Sequence, residues 1–126
     1  MLQAAQPVAF LPSENLERSA RFFGGVLDLP LVSRSAFAYV FRCGEVSLRV
    51  TKVDFLRPQP FTVFGWEVTD LRSALNELRD RGTKVLHYEG LDQDDQDVWT
   101  TPTGELVAWI HDPDLNVLSL TELAPD

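Results

Sequence analysis

The feature that most constrains this chain is a pattern met twice. An apolar run, an amphipathic helix and further apolar runs fill the first half, and the same order returns in the second. In the first half, residues 8–12 read as a buried strand. Ser13 or Asn15 then N-caps a helix with Glu14 and Glu17 in its first turn, where acidic groups complement the exposed N–H groups and the dipole. Leu16, Ala20, Phe23 and Val26 or Leu27 recur at helical spacing until Asp28-Leu29-Pro30 ends the segment. Strands over 37–41 and 46–50 flank the hairpin turn Arg42-Cys43-Gly44-Glu45. In the second half, 61–68 reads as a strand and Thr69-Asp70 opens a helix with Leu71, Leu75 and Leu78 as its apolar stripe. Arg79, Arg81 and Gly82 supply its C-terminal charge and glycine. Strands follow over 84–88, 98–101, 106–110 and 117–120, the last two joined by the turn Asp112-Pro113-Asp114-Leu115-Asn116. The letters repeat as well. Asn15-Leu16 and Asp70-Leu71 open the two helices, and Leu48-Arg49-Val50 closes the first half as Leu118-Ser119-Leu120 closes the second. An internal duplication of a βαβββ module is the economical reading.

The expected class is α+β, with 1–126 as a single domain, modules over 7–53 and 61–123, and a proline-bearing linker over 54–60. No apolar run approaches the ~20 residues that span a bilayer, and the N-terminal residues lack the basic and long apolar regions of a secretion signal. The single cysteine, Cys43, cannot form an internal disulfide, which fits the cytoplasm. A net charge of −8 with scattered Arg and Lys argues against nucleic acid and anionic membranes as partners.

Three stretches carry a family resemblance: Asn15-Leu-Glu-Arg-Ser-Ala-Arg-Phe-Phe-Gly-Gly-Val-Leu-Asp-Leu29, Gly65-Trp-Glu-Val-Thr-Asp-Leu71 and Asp112-Pro-Asp-Leu-Asn-Val-Leu-Ser-Leu120. Together they resemble the vicinal oxygen chelate superfamily of glyoxalases, bleomycin-resistance proteins and dioxygenases. Gln93-Asp-Asp-Gln-Asp-Val-Trp99 with Val107-Ala-Trp-Ile-His-Asp-Pro113 is similar to a bacterial glyoxalase-like subgroup. The resemblance implies paired βαβββ modules curling into a cup-shaped mixed sheet around a cavity, and a homodimer. It also implies metal ligands that this sequence does not carry. The His position of the first module falls on Val8, or on Pro7, and that of the second on Val63 or Phe64, while the terminal Glu positions fall on Arg49 and Ser119. Valine and phenylalanine offer no donor and an arginine repels a cation. No cofactor is expected, and a divalent metal is disfavoured.

On that mapping Arg49 points into the cavity. It either clamps an anionic group of a ligand or pairs with a strand carboxylate such as Glu67. Glu67 is the candidate general acid or base. Trp99, Trp109 and Tyr39 are candidate cavity walls beside Val8, Val63 and Ser119, whereas Trp66 is expected under a helix. His87 is expected near a strand edge and His111 as a solvated turn residue; Cys43 has no histidine near it in sequence. The stretch 92–97 is expected as a solvated acidic loop, or else as a cover for the cavity mouth. The leading expectation is a metal-independent protein that binds a small organic molecule, with anionic ones among the candidates. The alternative is an enzyme of lyase, isomerase or dioxygenase type, metal-free or with an atypical site from Glu67, His87 and Glu105 or Glu122. A structural subunit with a filled cavity is the third class.

Overall fold

A strand that returns parallel to its neighbour needs a crossover, and each half of this chain supplies one with a helix. The computed structural model describes Met1–Asp126 and divides into two units, Met1–Pro58 and Gln59–Asp126. In the first, β1 (Val8–Ser13) pairs in parallel with β4 (Val46–Lys52), followed by β3 (Ala38–Cys43) and β2 (Leu31–Arg34) in antiparallel order, giving β1-β4-β3-β2. In the second, β5 (Thr62–Glu67) pairs in parallel with β8 (Val117–Glu122), followed by β7 (Leu106–His111) and β6 (Trp99–Thr100), giving β5-β8-β7-β6. Two four-stranded mixed sheets with the same winding make the expected α+β duplication. No helix is long and apolar enough to cross a membrane.

Each sheet buries one face under its helix. In the first module Leu11, Phe41, Leu48 and Val50 are buried with Leu16, Phe22 and Phe23 of the crossover. Burying a side chain of this size contributes about 1.5–3 kcal/mol. Asn15 is the N-cap of α1 (Leu16–Ala20), its side chain accepting from the N–H of Arg18 at 3.0 Å. The expected α-helix does not continue to residue 27; after Ala20 the chain widens into a π-helical stretch, Arg21–Val26. That wider turn carries two consecutive rings inward, Phe22 and Phe23, stacked edge to face at 5.1 Å.

In the second module Asp70 caps α2 (Leu71–Asp80), accepting from Ser73 N–H at 3.1 Å and from its hydroxyl at 2.9 Å. Leu71, Leu75 and Leu78 are the buried stripe. Gly82 ends the helix at φ +87, where Gly82 N–H bonds Arg79 O and Thr83 N–H bonds Leu78 O.

Two strand expectations need correction. Residues 31–34 form β2, which sequence patterning missed because all four side chains are exposed and leave no alternation. Residues 84–88 do not form a strand. Only Val85 bridges, to Ile110, and Leu86 N–H reaches Trp109 O. Beyond that point the Gln93 side chain replaces a strand partner: its Oε1 accepts from Tyr88 N–H at 2.7 Å and its Nε2 donates to Leu86 O and Asp97 O at 2.9 and 3.0 Å. The outer edge of β7 is thus covered in two pieces, by β6 at one end and by residues 85–86 at the other.

Candidate functional site

Strand register sorts the side chains of each sheet onto two faces. On the face away from the helix, the first module shows three rows: Val8–Ser47–Arg42, Phe10–Arg49–Val40 and Pro12–Thr51–Ala38. The corresponding rows of the second module are Thr62–Val117–His111, Gly65–Ser119–Trp109 and Glu67–Thr121–Val107, the last extended by Trp99. A register shift between Thr62 and Phe64 leaves Val63 beside the first of these rows.

The second module's open face carries an aromatic cluster. The indoles of Trp99 and Trp109 stack at 6.2 Å with 28° between planes, and Tyr88 meets Trp109 edge to face at 5.5 Å. Trp109 Nε1 donates to Thr62 Oγ1 at 3.0 Å, so its indole crosses β8 to reach β5. It passes Val117, which is only 4% exposed although it belongs to the open face. Small residues make the room: Ser119 lies under this path, and its neighbour Gly65 has no side chain. A Cβ on Gly65 would stand 2.8 Å from Ser119 O and closer still to its hydroxyl.

The expected site residues therefore divide. Glu67, Trp99, Trp109 and Ser119 share the open face of the second module, Val63 is exposed within the register shift of β5, and Val8 and Arg49 share the open face of the first. Arg49 is exposed and no carboxylate of its own module reaches it. Tyr39 is a correction. Paired with Val50, it lies on the helix side of the sheet, where its hydroxyl donates to Glu17 and Arg34 sits 5.3 Å from its ring. The Glu17 hydrogen bond, more than its desolvation, raises the Tyr39 hydroxyl above its ordinary range. There it borders a shallow depression of about 330 Å³ with Glu14, Glu17, Ser35 and Lys52.

Trp66 is on the helix side, as expected, edge to face with Phe64 at 5.0 Å. Tyr88 and His111 are the open-face residues that sequence reasoning missed. Tyr88 is raised above its usual range by burial, and burial likewise lowers His111, disfavouring its charged imidazolium. His111 is thus half-buried at the end of β7 rather than a solvated turn residue. The parity of the 106–111 run, which places His111 with Trp109, was the signal available for it.

The atypical metal or acid–base set is not assembled. His87 Nδ1 lies 3.0 Å from Asp97, and Glu122 accepts from Leu71 N–H at 2.9 Å at the start of α2. Glu105 accepts from the hydroxyls of Thr103 and Thr101, which hold it below the usual carboxylate range. Glu67 and His111 share a face but lie two rows and two strands apart, roughly 16 Å. The acidic stretch 92–97 is not a cover either. Arg72 pairs with Asp94 at 2.8 Å, and Arg79 pairs with Asp97 at 3.6 Å and donates to Gln96 O at 2.7 Å, which docks the loop on α2. Desolvation opposes ionisation of Asp94, yet the bonds from Arg72, Val98 N–H and Gln96 N–H leave it below its ordinary value.

This duplicated winding defines the fold of the glyoxalase/bleomycin resistance/dioxygenase proteins. The chain is similar in structure to the lactoylglutathione lyase from Agrobacterium tumefaciens, at TM-score 0.73 and 16% identity over 94% of this chain and 93% of that one. It is equally similar to a glyoxalase/bleomycin resistance protein/dioxygenase from Nocardioides, at TM-score 0.73 and 15% identity over 97% and 85%. A glyoxalase-related enzyme from Fulvimarina pelagi superposes at TM-score 0.70 with 19% identity over 93% and 86%. No family model and no curated protein matches the sequence. At these identities the likeness establishes the fold.

The residues to which the sequence resemblance assigns a metal suit one poorly. Val8, Val63 or Phe64 provide no donor, Arg49 provides a positive charge, and Ser119 provides one hydroxyl crowded against Gly65.

Proposed function

We propose that the chain is a metal-independent small-molecule binding protein that holds an organic ligand on the open faces of its sheets. The observation that carries this reading is the Trp99–Trp109 stack with Tyr88 at its edge, set on a sheet face that the helix leaves uncovered. Stacked indoles present flat apolar area with little rotamer freedom to lose, which suits a planar ligand. On the first module's open face Arg49 offers a guanidinium to a carboxylate or phosphate substituent. The donor-poor residues at the family's metal positions support ligand binding over metal-assisted lyase or dioxygenase chemistry. We further propose a cytoplasmic homodimer, on the single cysteine Cys43 and the fold's usual assembly in chains of this length.

A thermal-shift screen of the whole chain against organic anions, cations and neutral aromatics tests this, run beside metal analysis of protein prepared without chelators. The expected result is a concentration-dependent rise in Tm with some planar compounds, little response to nickel, zinc, manganese or iron, and substoichiometric metal. Stoichiometric metal, with a large shift on adding it, would overturn the metal-free reading.

A further inference from the structure

The two halves of this chain differ sharply in charge. Residues 1–58 carry seven basic and five acidic side chains, a net +2, whereas residues 59–126 carry four basic and fourteen acidic, a net −10. The four bases of the second module are Arg72, Arg79, Arg81 and Lys84. None lies on a strand, and the three arginines pair with Asp94, Asp97 and Glu77. The open face of that sheet therefore holds the half-buried indoles of Trp99 and Trp109, one exposed carboxylate, Glu67, and no basic side chain except the half-buried His111.

From this geometry and charge we infer that the second module's open face selects a planar aromatic cation, stacked on Trp99 and Trp109 within the field of an acidic module. This deepens the binding function proposed above and rests on it, while reversing, for this face, the ligand charge that Arg49 suggests for the other. The physical basis is twofold. Indole faces are negative and attract a cation within about 6 Å of the ring. A surplus of ten negative charges on one module also draws cations to it and repels anions before contact. An anionic ligand of the same shape would gain the stacking but meet the module's negative field and no counter-charge.

The test is equilibrium dialysis of the full chain, at moderate salt, against proflavine as the planar cation and anthracene-2-carboxylate as the planar anion. Saturable binding of proflavine, about tenfold or more tighter than the anion, is expected. Trp99→Ala should weaken it by about tenfold, with Trp99→Phe retaining most of the affinity. Circular dichroism of each variant confirms that it is folded. If the anion binds as tightly as the cation and Trp99→Ala weakens both, the charge selection fails while the aromatic platform stands. Failure of both probes to bind would remove the platform as well. Proflavine binding that ignores Trp99→Ala would reduce the effect to general attraction by an acidic surface and overturn the inference.

Discussion

The middle rows of the two open faces, Phe10–Arg49–Val40 and Gly65–Ser119–Trp109, occupy the same positions of one winding and distribute their bulk in opposite ways. In the first module the large groups stand on the two parallel strands, and Phe10 is 63% exposed. In the second, those strands are nearly bare, and the single large group arrives from β7 and lies across them. The backbone scheme sets which residues face outward, and side-chain size then decides whether that face is a row of separate projections or a flat aromatic floor. A duplicated fold can in this way keep one set of hydrogen-bonded strands and present two unrelated surfaces.

The largest effect should come from breaking the bareness of β5. Gly65→Ala puts a methyl group against a neighbouring backbone carbonyl that cannot swing away, so the β5–β8 pair must separate or twist. Overpacking of this kind costs about 1–3 kcal/mol or more, and the Trp109 bond to Thr62 should be lost with it. The counterpart Phe10→Ala, on an exposed side chain, should stay within about 0.5 kcal/mol of the parent. Chemical denaturation monitored by tryptophan fluorescence, supplied wholly by the second module, checks the first; far-UV circular dichroism checks the second. Equal effects at both positions would dissolve the contrast between the faces.

The hairpin turns sharpen the comparison next. The first module closes β3 and β4 with Gly44 at φ +58, while the second closes β7 and β8 with a loop built on the buried Asp112. Asp112 accepts from Asp114 N–H and Asn116 N–H at 2.9 Å each and from the Asn116 side-chain amide at 2.8 Å. Asp112→Ala leaves those donors unmet and should destabilise the second module by about 2–3 kcal/mol. The pH dependence has a definite sign. Burial raises the Asp112 carboxyl above its ordinary 3.8, against the opposing pull of Asn116, so the folded chain holds this proton where the unfolded chain has released it. Its contribution is full below 3.8 and declines as pH rises through the folded value. Asp70 and Asp94 run the other way: both lie below 3.8, and their contribution is lost as pH falls through their folded values. Carboxyl carbon NMR titration should therefore find Asp112 protonating first. An Asp112 midpoint below that of Asp94 would contradict the burial argument.

How much of this was legible in the sequence depends on whether the determining contact was local. Asp70 was readable at a helix start, Asn15 as one of two cap candidates beside Ser13, Gly82 as a helix end, and Val8 to Pro12 as a strand, because each rests on its own few residues. Glu67 was placed by strand parity, Ser119 by the family resemblance, and Trp99 and Trp109 by the sheet to which their strands belong; pairing puts all four on one face. Tyr39 was misplaced because a shift of one residue turns a strand side chain to the other face, and only pairing with β4 fixes that choice. The 84–88 stretch has strand composition, and what stops it is Gln93, a side chain acting from a loop. Removing that plug is the third test. Gln93→Ala should cost about 1–2 kcal/mol through Tyr88 N–H and two carbonyls left unpaired, and it should free Tyr88 from the edge of Trp109. A shift in tryptophan emission with unchanged helix content is the expected signature.

The smallest effect belongs to the helix ends. Gly82 closes the second crossover helix at φ +87, and Asp28 takes the equivalent left-handed turn in the first at φ +62, just after the π-helical stretch. The N–H groups of Leu27 and Leu29 on either side of Asp28 bond back to Phe22 O and Phe23 O at 3.0 and 2.9 Å. That turn holds the two buried rings in place, so its conformation is set by the core and the residue there must conform. Asp tolerates the left-handed region better than most residues, but glycine does so without a Cβ clash. Asp28→Gly should therefore relieve up to about 1 kcal/mol of backbone strain in the first module, against which stand the interaction that Asp28 makes and the extra freedom given to the unfolded chain. Gly82→Ala should destabilise the second module by a similar amount, since nothing lies within 4 Å of an added Cβ and the cost is purely the backbone conformation. Opposite signs at these two positions, read as shifts in the denaturation midpoint, are what separate a strain borne by the backbone from one borne by packing. If Asp28→Gly destabilises instead, the Asp28 side chain makes a contribution in the folded turn that exceeds its conformational cost.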